Sequence, residues 1–161
     1  MTNYFLSRND TEVFACRVRK NLDFIMRKRS EGEDVHEVTQ LVISLLGIII
    51  FPWESGASKS IKRLRLEKLE ADGWPKWDVV LDESQKGKTD TLGKLLYHLR
   101  NAAAHQRISF TTDHPKMESV DIIFEDAPFK DSPINWRASI KASELKNFCE
   151  RFTIKLEELV G

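Results

Sequence analysis

The sequence predicts a mainly α fold, a single helical-bundle domain over residues 1–161 with a small antiparallel β-hairpin or sheet, about 107–142, before the last helix. Three observations predict it. Apolar residues recur at helical spacing through the long segments, and the period turns to alternation only in "RISFTT", "SVDIIFED" and "WRASIKA". No internal repeat, low-complexity tract or linker divides the chain. With 41% hydrophobic and 31% charged residues, it can bury a core and stay soluble.

The first helix begins near Asn9 or Asp10, either of which can cap free backbone donors. Val13, Phe14, Val18, Leu22, Ile25 and Met26 give it one buried face, and the glycine of "SEGED" stops it. A second helix, about Asp34 to Ile50, turns apolar nearly all round and belongs in the core; Pro52 ends it, leaving Phe51 and Trp53 to cap that core. "SGASKS" is a loop and "SIKRLRLEKLEAD" a short amphipathic helix. "GWPKWDVVLDESQKGKTD" reads as an irregular connection packed through Trp74 and Trp77, either a substrate-contacting lid or a plain linker. Thr89 or Asp90 caps the next helix, which carries Leu92, Leu95, Leu96 and Leu99 and ends near Gln106. After two strands joined by "DHPKM", and a candidate third, Ser143 caps the last helix. Its apolar residues are Leu145, Phe148, Phe152, Ile154, Leu156 and Leu159.

Net charge is zero, with 25 basic and 25 acidic residues, so the chain is not a general coat for nucleic acid and any such contact must be local. The basic runs at 17–20, 27–29 and 59–68 read first as solvated helix faces. Cys16 and Cys149 lack a metal or redox spacing and read as free thiols. "MTNYFLSRND" lacks the pattern of a signal peptide, and "LVISLLGIII" is about half a membrane span, so a cytoplasmic protein without a membrane partner is expected.

The stretch "LRNAAAHQR" is the most informative. A helix turns about 100° per residue, which puts the leucines and Ala103 on one stripe facing the core. Asn101 and His105 then lie one above the other on the opposite side, with Tyr97 and His98 nearby and Arg100 at the boundary. Ala102 and Ala104 flank the two faces. Small residues there leave room for a second backbone, such as a two-fold related copy; the bland alternative is an exposed helix end in which alanine is simply a good helix former.

"RNAAAH" resembles the Arg-x4-His motif of the HEPN superfamily, and the order of helices, hairpin and last helix is similar to that of HEPN-family nucleases. The resemblance implies a bundle that dimerises with its motifs facing across the symmetry axis, and cleavage of RNA without metal or other cofactor. Carried over, Arg100 and His105 are the catalytic pair and Asn101 a positioning residue. His105 would act as base on a ribose 2′-hydroxyl or acid toward the leaving oxygen, and Arg100 would grip the scissile phosphate. In a branch of the family a tyrosine two residues after the histidine is adenylylated; here Arg107 stands there, a charge that favours RNA.

Arg107, His98 and Tyr97 are candidate substrate-binding residues, with surface and packing roles as the alternatives for His98 and Tyr97. His36 and His114 read as surface, and Glu54 as a local partner or cap. Three readings stay open: an endoribonuclease, as toxin or defence effector with an antitoxin or defence-system partner; an inactive HEPN-like module that binds RNA or protein; and a purely structural helical protein whose alanine patch only dimerises.

Overall fold

Gly32 ends the first helix as its place in "SEGED" predicts. Its backbone takes the left-handed angle φ 87°, and Gly32 N–H and Glu33 N–H donate back to the Arg29 and Lys28 carbonyls, each at 3.0 Å. In the computed structural model, which describes residues 8–54, 59–112 and 117–158, this helix is α1, Arg8–Ser30. It already contains Asn9 and Asp10, so neither caps it. By its contacts the chain divides into two compact units, Met1–Lys59 with Phe148–Gly161, and Ser60–Asn147.

The first unit holds α1, α2 (Glu37–Glu54) and the Phe148–Glu158 part of α6 (Ala142–Glu158). Its core collects Ala15, Leu22, Leu41, Leu45, Ile48, Ile49, Phe148, Phe152 and Leu156. Contrary to expectation, α2 continues through Pro52 to Glu54. Proline removes one N–H, but here the lost bond falls in the last turn, where the ladder is ending anyway. The readings of Phe51, Trp53 and Glu54 concern side chains that lie outside the described set, as do His114, Leu159 and most of "SGASKS". Cys149 is buried, and burial pushes its thiol well above the ordinary range, with Glu150 adding to the effect.

The second unit carries a four-stranded antiparallel sheet in the order β1-β4-β3-β2: β1 Asp78–Asp82, β2 Ile108–Phe110, β3 Asp121–Asp126 and β4 Trp136–Lys141. Burial alternates strictly along β3 and sends Ile122, Phe124 and Asp126 inward. Opposite them on β4 stand Ile140, Ala138 and Trp136, so the large Phe124 faces a small partner. Against this face packs α5, Leu92–Ala104, through Leu92, Leu95, Leu96, Leu99 and Ala102.

Several boundaries differ from the sequence reading. The stretch after Trp74 is not wholly irregular, because "DVVLD" is an edge strand paired with β4. The expected single helix at 60–72 is two, α3 (Lys59–Lys62) and α4 (Leu66–Ala71). Between them the backbone bonds to the start of α5, Leu66 N–H to the Asp90 carbonyl at 3.0 Å and Leu92 N–H to the Leu64 carbonyl at 2.8 Å. Thr91, not Thr89 or Asp90, caps α5. Thr89 is occupied with Asp82 through both its N–H and its hydroxyl, and Asp90 with Arg65 and Lys94. The last helix begins at Ala142, one residue ahead of Ser143.

Candidate functional site

The last turn of α5 is where the motif lies, and one side-chain bond and three backbone bonds hold it. Asn101 is half-buried and donates through Nδ2 to Asp126 Oδ2 at 3.0 Å. His105 is the C-cap, exposed, with its N–H on the Asn101 carbonyl at 3.0 Å. Beyond it, Gln106 N–H reaches the Ala103 carbonyl at 3.1 Å and Arg107 N–H the Ala102 carbonyl at 2.8 Å. That is the glycine-type helix stop, yet the left-handed position is held by Gln106 at φ 56°. A non-glycine residue there carries roughly 1–2 kcal/mol of strain. The chain turns sharply after His105, so the imidazole stands at the corner between α5 and β2. Arg100 is half-buried one turn above, on the side of the helix that carries Tyr97 and the exposed Ala104.

His98 departs most from expectation. It does not face outward; it is 1% exposed and lies inside the second unit. Its ring stacks on Trp136 (4.6 Å between centroids, 12° between planes), and its Nδ1 is 2.7 Å from Asp126 Oδ2. The α5 stripe that meets the sheet is wider than the leucines alone suggest, and it takes in His98 and Ala102 as well. A substrate at the surface cannot reach His98, so the binding role expected for it is withdrawn. Ala102, fully buried, likewise leaves the outward flank to Ala104.

Asp126 was not singled out in the sequence, yet it organises this region. It is 4% exposed, and its Oδ1 accepts the Ala127 N–H at 2.8 Å while Oδ2 takes His98 and Asn101. Burial pushes its carboxyl upward, but the bonds from His98, Asn101 and the Ala127 N–H outweigh that and hold it below its ordinary 3.8. An ionised carboxylate can only accept, so His98 Nδ1 carries the proton. His98 Nε2 is buried and meets no polar partner among the described residues. A signal for Asp126 did exist: in "DIIFED" it sits two residues beyond Phe124, on the inward register, where an acid must be paired.

The polar chain continues through Trp136, whose Nε1–H donates to Thr89 Oγ1 at 2.9 Å; Thr89 is in turn bound to Asp82. Tyr97 is half-buried, set edge-on to His98, with Lys86 Nζ 5.1 Å from its ring centroid. Arg107 turns back on its own fold. Its Nη2 donates to the Lys130 carbonyl at 2.7 Å and the Phe129 carbonyl at 3.3 Å, so it clamps the loop between β3 and β4. Arg100, Asn101, His105 and Arg107 thus share one turn and its exit, while His98 belongs to the interior behind them.

Among the described residues no helix is long and apolar enough to cross a membrane. A family model described as HEPN pEK499 p136 matches residues 1–160. No curated protein and no solved structure matches the chain.

Proposed function

We propose, from the premise that the chain belongs to the HEPN pEK499 p136 family, that it is a metal-independent endoribonuclease working through Arg100 and His105. One observation carries this reading: the turn bearing both residues is pinned to the sheet through Asn101 and Asp126, while His105 stands exposed at its end. A catalytic histidine needs solvent access and a fixed backbone, and this site supplies both.

The chemistry follows from the side chains. His105 takes the proton of a ribose 2′-hydroxyl, and the freed oxygen attacks the adjacent phosphorus. The P–O5′ bond breaks as a proton reaches the leaving oxygen, giving a 2′,3′-cyclic phosphate and a 5′-hydroxyl. Arg100 offsets the charge that builds on the phosphoryl oxygens through its planar donor fork. A second histidine supplies the leaving-group proton when two copies meet along the Tyr97–Arg100–Ala104 side of α5, so each copy completes the other's site. Asn101 acts by holding the turn, since its amide is already committed to Asp126. A toxin or defence effector held in check by an antitoxin is the cellular role that such an activity suits.

The test uses wild type, His105→Ala and Arg100→Ala with total RNA in EDTA, folds checked by circular dichroism and assembly by a sizing column. Wild type is expected to cleave, and each variant to lose 100-fold or more, about the contribution of one acid–base or oxyanion-stabilising group. Equal cleavage by all three overturns the proposal. RNA binding without products from wild type supports the inactive module instead.

A further inference from the structure

Phe129 is 77% exposed, more than any other large apolar side chain among the described residues. A ring of this size left in water forgoes the free energy that burying it would release. The backbone beneath it is not loose. Arg107 Nη2 holds the carbonyls of Phe129 and Lys130, and Ser132 N–H closes a turn onto the Phe129 carbonyl at 3.2 Å. The loop's first residues are fixed as well, because Ala127 N–H sits on Asp126 and Glu125 N–H on the Arg107 carbonyl at 3.0 Å. The ring is therefore displayed on a clamped support whose anchor, Arg107, follows His105 by two residues.

Its neighbours are mostly charged. Pro128 is exposed beside it, but Lys130 and Asp131 follow, also exposed. Among the described residues Arg107 meets carbonyl oxygens and no carboxylate; with Glu125 paired to Arg137 and Asp126 buried, the charges left at the surface here are Arg107, Lys130 and Asp131, one positive in sum. A broad apolar patch would suit a protein partner. A lone aromatic face among cations suits a base with its phosphate.

We infer that Phe129 is a stacking platform for an unpaired nucleobase flanking the scissile phosphate, with Lys130 on the backbone next to it and Arg107 adding its charge from beneath the loop. The preferred substrate is then single-stranded RNA, because a base held in a duplex cannot offer its face. This inference takes its substrate from the endoribonuclease reading above, and the experiment separates the two.

Phe129→Ala, Phe129→Leu and Phe129→Trp are compared with wild type on a single-stranded oligoribonucleotide and its duplex. Losing a stacked base should raise KM about tenfold in the alanine variant with kcat within about twofold. Tryptophan should restore KM and leucine should not. In parallel, an oligoribonucleotide carrying 2-aminopurine is bound to His105→Ala and to His105→Ala/Phe129→Ala, and quenching of its fluorescence should need the ring. If wild type cleaves while Phe129→Ala keeps both its KM and the quenching, the inference falls and the nuclease reading stands. If wild type cleaves nothing, the nuclease reading falls and the quenching alone decides: loss with Phe129→Ala supports the platform, indifference overturns it. A sizing shift in Phe129→Ala with quenching intact also overturns it, since the ring is then covered by a second copy.

Discussion

Asn101 Nδ2 and Asp126 Oδ2 lie 3.0 Å apart, and the same oxygen accepts the His98 Nδ1–H at 2.7 Å. One carboxylate oxygen at the end of β3 thus ties down both an interior histidine and the turn of α5 that bears the motif. Removing it strands three donors in or near a water-poor interior: His98 Nδ1, Asn101 Nδ2 and the Ala127 N–H.

Asp126→Ala should therefore destabilise the protein by about 3 kcal/mol or more, since three donors each lose a buried acceptor at about 1–3 kcal/mol apiece. Asp126→Asn should cost less, because its carbonyl oxygen still accepts one bond. Urea unfolding is the measurement, and the midpoint should fall at constant slope. A loss below about 0.5 kcal/mol in the alanine variant would mean the network does not hold the turn.

The same carboxylate sets an acid limit. Its pKa in the fold lies below the 3.8 expected for a free aspartate, so the folded state binds its proton less readily than the unfolded chain. The stabilisation is complete above the unfolded value and disappears as pH falls through the lower folded one. Asp90, held down by its bond from Lys94 with help from Arg65, changes with the same sign at the surface. Stability followed from pH 7 to pH 2 should decline below about pH 4, and Asp126→Asn should flatten part of that decline.

How much of this was legible depended on whether a residue's role is local. The leucine stripe of α5, the glycine stop of α1 and the strands β2, β3 and β4 are written in spacing and turn chemistry, and they stand as read. The motif is visible as residue types in order. The burial of His98 is not legible in the spacing, because the arc of α5 that gets covered is set by the sheet and the leucines mark only its middle. The strand β1 is not legible locally, because "DVVLD" is short, irregularly exposed and followed by a polar run; it is a strand by virtue of its pairing with β4. Pro52 in α2 shows the reverse case, a strong local signal overridden near a helix end.

Close packing at the start of α5 yields a third prediction. A Cβ added at Gly93 would sit 2.7 Å from the Lys62 carbonyl oxygen and 3.0 Å from its Cα, both backbone atoms of α3. Side-chain rearrangement cannot relieve that clash, so α3 and α5 must move apart. Gly93→Ala should cost about 1–3 kcal/mol despite alanine's better helix propensity. A thermal midpoint at or above wild type would show that α3 does not press on α5.

Gln106 offers the opposite sign. It is exposed, and its backbone holds φ 56°, where a side chain adds strain and glycine adds none. Gln106→Gly relieves roughly 1–2 kcal/mol in the folded state and returns about 0.5–1 kcal/mol through the freer unfolded chain. The net expectation is a gain of about 0.5–1 kcal/mol, read as a thermal midpoint a few degrees higher. Because this residue follows His105 directly, the same variant reports on catalysis. If the strained corner aims the imidazole, RNA cleavage should fall while stability rises, and that opposition separates a strained functional turn from a merely imperfect helix end.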